Sequence, residues 1–130
     1  MTITPSLFLR RALLADAVAS AGTGVLMAFG AGLLTSLLGL PEMLLREAGI
    51  FLLPYAAFVG WMGTRARLPE GLVWLVIVGN ALWTVASIAL FVWTQPTALG
   101  YAFVLGQAVA VGVFAELQYM GLKRPIEATA

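Results

Sequence analysis

The chain has 130 residues, of which 62% are hydrophobic and only 10% are charged, and its mean hydropathy is +0.99. A soluble domain carries roughly a quarter charged residues, so this chain could not cover its own surface in water. It contains neither cysteine nor histidine, which excludes disulfides, thiolate metal sites and imidazole chemistry. The net charge of +1 comes from cations in short loops, a pattern that does not indicate a nucleic-acid partner.

Four apolar stretches separated by short turns predict an all-α membrane protein, a four-transmembrane-helix bundle that forms a single domain over residues 1–130. The first stretch runs from about residue 12 to residue 38, which is more than a bilayer core of about 30 Å requires at about 1.5 Å per residue. It continues well past Ala21, where a secretory signal would be cleaved, so we expect a retained span. The remaining spans are expected at about residues 48–64, 72–93 and 99–122.

The connection between the first two spans has features of its own. Gly39 and Pro41 are expected to end the first helix and to start the next, because proline suits the first turn of a helix. The following residues, 42–47, combine charged and apolar side chains in an amphipathic pattern. We therefore expect an interfacial segment between helices 1 and 2, lying on the outer membrane surface.

The basic residues are distributed unevenly between the two ends of the predicted bundle. Only Arg46 falls at one end, and six others fall at the opposite end: Arg10, Arg11, Arg65, Arg67, Lys123 and Arg124. Cytoplasmic loops retain Lys and Arg because moving cations across the bilayer during insertion is costly. The pattern therefore predicts a multi-pass protein of the bacterial inner (cytoplasmic) membrane with both termini in the cytoplasm.

Two acidic residues fall inside predicted spans, where ionisable groups are costly and are functional candidates. Asp16 lies about 7–8 Å beyond Arg11, and Glu116 lies about 10 Å before Lys123, so both are in the inner half of the bilayer. As a pair, the two carboxylates would bind a cation or carry a proton. We favour the alternative, in which each carboxylate pairs with a nearby interfacial Arg or Lys.

A polar stripe runs along the third span and indicates a face that points into the bundle. Asn80, Trp83, Thr84 and Ser87 share one helical face, at spacings of three, four and seven residues. Tyr55 in the second span also falls near mid-membrane, where its O–H group needs a protein partner. These side chains either form interhelical hydrogen bonds, which we favour, or line a ligand cavity with Trp83 as its apolar floor.

The fourth span carries polar residues on two sides. Gln107 and Glu116 are nine residues apart, and at about 100° per residue they lie on opposite faces of the helix. They therefore cannot both face one narrow cavity. This helix is expected to contact neighbours on both sides, within the bundle or in a second protein.

Small residues repeat every four positions along the first span. The series is Ala12, Asp16, Ser20, Gly24, Ala28 and Gly32. Such a series favours close helix packing. The spacing is compatible with packing inside the monomer, which we favour, and with packing between copies.

Several short motifs resemble those of small four-span bacterial inner-membrane proteins that have no established activity. They are Asp16-Ala17, Leu38-Gly39-Leu40-Pro41 with Leu45-Arg46, Leu53-Pro54, Asn80-Ala81-Leu82-Trp83, Pro96-Thr97 and Gln107-Ala108. The resemblance covers nearly the whole chain and implies the four-span fold. It implies no activity, cofactor or site residue.

These observations leave three functional hypotheses. We favour a non-enzymatic accessory or structural subunit that packs with itself or with another membrane protein, because the loops are very short and no nucleophile or metal-ligand constellation is present. The alternative is a binder or carrier of a small lipophilic or cationic compound, and the candidate intramembrane polar site is then Asp16, Tyr55, Asn80, Trp83, Gln107 and Glu116. An enzyme acting on lipid is least favoured, since paired acids would be its only acid–base groups. No catalytic residue, cofactor or metal is predicted; the expected partners are the lipid bilayer and a membrane protein or a second copy, with no nucleic acid.

Overall fold

A computed structural model describes residues 1–123, and four long helices account for most of them. They are α1 (Leu7–Leu38), α2 (Glu42–Gly63), α3 (Glu70–Ala89), which continues into a 3₁₀ turn at Leu90–Val92, and α4 (Ala98–Lys123). All four are long and apolar enough to cross a membrane, so the prediction of four apolar helices is confirmed. Arg124, part of the predicted charge pattern, lies outside the described residues.

The structure corrects the prediction of a separate segment between helices 1 and 2. Residues 42–47 form the first turns of α2 and continue into it without a break. Pro41 occupies the N-cap position, with φ −58° and ψ 133°, so it lies just before the first helical turn and not in it. Glu42 adds a negative charge near the positive helix N-terminus. Arg46 lies one turn after Glu42 and donates to its carboxylate at 2.5 Å, and this pair further stabilises the helix.

Helices α1 and α2 pack against each other over most of their length, and two glycines allow their closest approach. A Cβ atom added to Gly49 would lie 2.8 Å from the carbonyl oxygen of Gly24, and it would be closer still to the amide nitrogen of Ala28. A Cβ added to Gly24 would lie 3.0 Å from the Cβ of Leu52. The middle of the small-residue series therefore packs inside the monomer, as favoured from the sequence.

Helix α4 packs against both α3 and α1, and it runs antiparallel to α1. Gly121 lies against Leu9 at one end of α1, and Gly100 lies against Leu38 at the other. At this second end, the Thr97 amide donates to the Leu38 carbonyl at 3.0 Å and the Thr97 hydroxyl donates to the Leu37 carbonyl at 2.7 Å. The start of α4 thus satisfies carbonyl groups that the end of α1 leaves free.

The end of the bundle that holds the N-terminus and Lys123, here called the terminal end, contains a contact that the sequence did not indicate. Two short strands, β1 (Thr2–Ile3) and β2 (Leu68–Pro69), pair antiparallel. Ser6 then caps α1, because its hydroxyl oxygen accepts from the Leu9 amide at 3.1 Å. The chain before α1 is thereby joined to the turn between α2 and α3.

The buried apolar side chains form two clusters, one towards each end of the bundle. The terminal-end cluster is Leu9, Leu13, Ala17, Val59, Met62, Leu68, Val73, Val76 and Ile77. The opposite-end cluster is Met27, Ala31, Leu34, Leu38, Leu40, Leu45, Leu52 and Val104. Between them, the helices contribute polar side chains instead, and these form the candidate site.

The pairing of α1 with α2 inside one chain can be tested by a disulfide, since the natural chain has no cysteine. A Cβ on Gly60 would lie 3.5 Å from the Cβ of Ala17, within the range that a disulfide requires. We expect the double variant Ala17→Cys/Gly60→Cys to form an intramolecular disulfide on mild oxidation. Thiol alkylation and intact mass spectrometry measure it.

The control for this cross-link is Gly22→Cys combined with Gly60→Cys. Gly22 is on the same helix, but a Cβ there has no neighbour within 4 Å. This pair should keep both thiols free. Cross-linked dimers of the Ala17→Cys/Gly60→Cys variant would show instead that α1 packs against α2 of a second copy.

Candidate functional site

The carboxylate of Asp16 is buried at the centre of a polar network to which all four helices contribute. The Asp16 side chain is 1% exposed, and its Oδ1 accepts from the Ser20 hydroxyl, one turn along α1, at 3.0 Å. Its Oδ2 lies at hydrogen-bond distance from groups on the other three helices: Tyr55 Oη of α2 at 3.0 Å, Asn80 Nδ2 of α3 at 2.9 Å and Gln118 Nε2 of α4 at 2.8 Å. The network therefore joins the whole bundle at one carboxylate.

Hydrogen bonds among these neighbours close the network. Asn80 Nδ2 also donates to Gln118 Oε1 at 3.0 Å, and Asn80 Oδ1 lies 2.7 Å from the Tyr55 hydroxyl. Asn80 is 4% exposed and Gln118 is fully buried. A buried polar group is costly unless it is hydrogen-bonded, and this network satisfies its members together.

Among residues 1–123, no cationic side chain takes part in the Asp16 network. Within residues 1–123, Arg46 and Glu42 form the one ion pair, and it lies at the opposite end from Asp16. The interpretation in which Asp16 pairs with an interfacial Arg or Lys is therefore wrong for the described part of the chain. Neutral donors surround this carboxylate.

A second set of hydrogen-bonded polar side chains, between α3 and α4, lies next to this network. The Trp83 indole N–H donates to Gln107 Oε1 at 2.8 Å, and Gln107 Nε2 donates to the Ser87 hydroxyl at 2.9 Å. Thr84 donates to the Ala108 carbonyl at 3.2 Å. The polar stripe of α3 thus faces α4 along about two turns and forms interhelical hydrogen bonds, as favoured from the sequence. The Thr84 and Ser87 hydroxyls also lie 3.1 Å and 2.7 Å from carbonyl oxygens of α3 itself.

A cleft between α2 and α3 borders the polar network. Its volume is about 260 Å³, and it is partly open to the molecular surface. The aromatic lining residues are Phe51, Tyr55, Phe58 and Trp83; the polar ones are Ser20 and Asn80; the others are Leu52, Leu75, Val76, Gly79 and Val111. An apolar cleft with a few convergent polar groups is the usual form of a small-molecule site.

Three of the aromatic side chains, Phe51, Tyr55 and Trp83, form a continuous wall of the cleft. Phe51 stacks on Tyr55 with ring centroids 6.4 Å apart, and on Trp83 with centroids 6.1 Å apart. Trp83 also borders two further cavities of about 200 Å³ and 130 Å³. Because its indole N–H is bonded to Gln107, the ring is fixed in position and presents an apolar surface to all three cavities.

The structure brings five of the six candidate residues to this region and leaves the sixth apart. Asp16, Tyr55 and Asn80 share one network, and Trp83 and Gln107 share the adjoining one. Glu116 lies on the exposed face of α4, and no hydrogen bond or ion pair of Glu116 is found within residues 1–123. The two acids therefore do not form a paired carboxylate site.

Two members of the network, Gln118 and Ser20, were not chosen as candidates from the sequence. Gln118 shares a face of α4 with Gln107, eleven residues earlier, and this shared face was a usable signal. Ser20 lies four residues after Asp16, a spacing that places both on one helical face, but the sequence suggested only a packing role for it.

Comparison with known proteins identifies no matching family model, no matching curated protein and no matching solved structure.

Proposed function

We propose that the protein is a membrane-embedded, non-enzymatic binding protein for a small, largely apolar molecule that carries one polar group. The observation that carries the proposal is the aromatic cleft of about 260 Å³, with its polar patch of Ser20, Tyr55 and Asn80. The aromatic surfaces would hold the apolar part of the ligand, and the patch would orient its polar group. The volume suits a ligand smaller than an ordinary drug molecule.

We further propose that the four helices cross the bacterial inner membrane with both termini in the cytoplasm. Large apolar side chains are exposed along all four helices, among them Phe29 at 81%, Leu75 at 61% and Val109 at 65%, a surface suited to lipid. Five of the basic residues lie at the terminal end, namely Arg10, Arg11, Arg65, Arg67 and Lys123. The excess of cations at that end favours its retention in the cytoplasm.

The orientation is tested by labelling single cysteines in intact cells with a membrane-impermeant maleimide. Gln95→Cys, in the turn before α4, should be labelled without lysis. Arg67→Cys, in the turn before α3, should be labelled only after lysis. The reverse pattern would invert the proposed topology.

Ligand binding is tested by filling the cleft. Gly79 lines it, and a Cβ at this position has no neighbour within 4 Å, so Gly79→Leu should occupy the cleft without a steric clash at the backbone. The purified protein in lipid nanodiscs is titrated with 4-phenylbutanol by calorimetry, against empty nanodiscs. We expect the wild type to bind 4-phenylbutanol and Gly79→Leu to bind it at least about tenfold more weakly. The leucine occupies the cleft, so the probe loses its apolar contacts with the lining residues.

The matched control is Gly106→Leu on α4. A Cβ on Gly106 also has no neighbour within 4 Å, but this residue does not line the cleft. It should bind 4-phenylbutanol as the wild type does. Equal affinity in the wild type and both leucine variants, or no binding beyond that of empty nanodiscs, would contradict the proposal.

The second candidate function is the accessory subunit favoured from the sequence, and Glu116 is the observation that supports it. An ionisable group on a lipid-facing helix surface is costly, so a polar partner from another helix would stabilise it. Light scattering of the protein in mild detergent should then detect an oligomer that Glu116→Leu converts to a monomer. A monomeric wild type would count against self-association.

A further inference from the structure

The polar side chains that line the cleft between α2 and α3 share one property: their donor groups already point to acceptors inside the protein. The Ser20 hydroxyl donates to Asp16. Asn80 uses its two N–H bonds on Asp16 and Gln118. The single O–H of Tyr55 lies between Asp16 Oδ2 at 3.0 Å and Asn80 Oδ1 at 2.7 Å, and either acceptor engages it.

The capacity left for a ligand is therefore acceptor capacity. The hydroxyl oxygens of Ser20 and Tyr55 and the amide oxygen of Asn80 each retain a lone pair. The indole N–H of Trp83 donates to Gln107, so it is not free to bind a ligand either. A ligand group that can only accept hydrogen bonds would be desolvated here without gaining a partner.

The buried carboxylate of Asp16, which lies behind this patch, also favours a positively charged ligand. Asp16 is 1% exposed, accepts all of its hydrogen bonds from neutral groups, and has no cationic partner within residues 1–123. Tyr55 and Asn80 separate it from the cleft by one layer of hydrogen bonds. The Phe51 and Trp83 rings also line the cleft and lie nearly parallel to each other, at 12°, so a bound cation would lie beside aromatic surface.

We infer that the cleft selects a small lipophilic cation whose charged group carries N–H donors, that is, a protonated amine. This inference rests on the proposed function, because it names the ligand class for the same cleft. The amine would donate to the oxygens of Tyr55, Asn80 and Ser20, and its charge would be held by Asp16 and by the aromatic wall. The same chemistry exists in a free amine and in the ethanolamine headgroup of a lipid.

The inference is tested with four probes of one shape and different polar groups. They are 4-phenylbutylamine, 4-phenylbutyltrimethylammonium, 4-phenylbutanol and the methyl ether of that alcohol. Each is titrated into the full-length protein in phosphatidylcholine nanodiscs, and binding to empty nanodiscs is subtracted. The amine has charge and donors, the ammonium has charge alone, the alcohol has one donor, and the ether has neither.

The amine is expected to bind at least about tenfold more tightly than the ether, and the ammonium and the alcohol should lie between them. This comparison uses only the wild-type chain, so it does not depend on how a variant folds. Equal binding of all four probes would overturn the selectivity for an amine while the proposed function stands. Binding of none of them would overturn the proposed function and the inference together.

The role of Asp16 is tested with Asp16→Asn, which keeps the shape of the side chain and removes its charge. The variant should lose most of the preference of the wild type for the amine over the ether. An unchanged preference would overturn the role of this carboxylate. Adding phosphatidylethanolamine to the nanodiscs separates the two sources: competition with the amine would support the headgroup, and its absence would support a free amine.

Discussion

Replacing Gly49 by alanine is expected to lower the free energy of unfolding by about 2 kcal/mol. The added Cβ would lie 2.8 Å from the carbonyl oxygen of Gly24 and 2.8 Å from the carbonyl carbon of Met27. These are backbone atoms, so no side-chain rotation can relieve the contact, and the two helices must move apart. Such overpacking costs about 3 kcal/mol at its upper range, and the better helix propensity of alanine returns about 1 kcal/mol.

Unfolding of the detergent-solubilised protein by a denaturing detergent, followed by circular dichroism, measures this loss. The matched variant is Gly106→Ala, since a Cβ there has no neighbour within 4 Å. It should be unchanged or up to about 1 kcal/mol more stable. If the two alanine variants were equally stable, α1 and α2 would not approach each other as closely as the structure has them.

Replacing Asp16 by leucine should have a comparable or larger effect, a loss of about 3 kcal/mol. Without the carboxylate, Tyr55 can still donate to Asn80, and Asn80 can still donate to Gln118. One N–H of Asn80, one of Gln118 and the O–H of Ser20 lose their partner in buried positions, at about 1–3 kcal/mol for each group left unpaired. Removing the buried carboxylate also removes its own desolvation cost, which offsets part of this loss.

The control for Asp16→Leu is Glu116→Leu, the same type of change at the other acid inside a helix. Glu116 is exposed and has no hydrogen-bond partner within residues 1–123, so monomer stability should change by no more than about 0.5 kcal/mol. The same unfolding measurement serves both variants. Equal losses, or a larger loss for Glu116→Leu, would show that Asp16 is not the residue that holds the bundle together.

The four helices were predictable from the sequence because hydropathy is a local property. Each apolar stretch can be recognised without reference to the others, and the turns at Gly39 and Pro96 mark where stretches end. The ends were less predictable. Residues 42–47 are amphipathic, a pattern that a surface segment and the first turns of a helix share, and the structure continues them into α2.

The candidate site was predictable only in part, since it depends on contacts between distant residues. Tyr55, Asn80 and Trp83 were recognised because polar groups deep in a span need partners. That their partners include Asp16 and Gln118, which are 102 residues apart, follows from how the helices pair. Helical spacing cannot supply that pairing. Sequence distance therefore favours the nearby cations as partners of Asp16, whereas three of its four neutral donors are on other helices.

The order in which the chain is made gives the Asp16 network a further consequence. Asp16 belongs to the first helix to leave the ribosome, while Gln118 belongs to the last. In a bilayer, the nascent first helix would carry its carboxylate with Ser20 as its one donor, gain Tyr55 and Asn80 as α2 and α3 are made, and lack Gln118 until synthesis is almost complete. Stable integration of α1 would therefore depend on the synthesis of α4. A chain truncated before Gln118 would then be a ready substrate for membrane quality-control proteases.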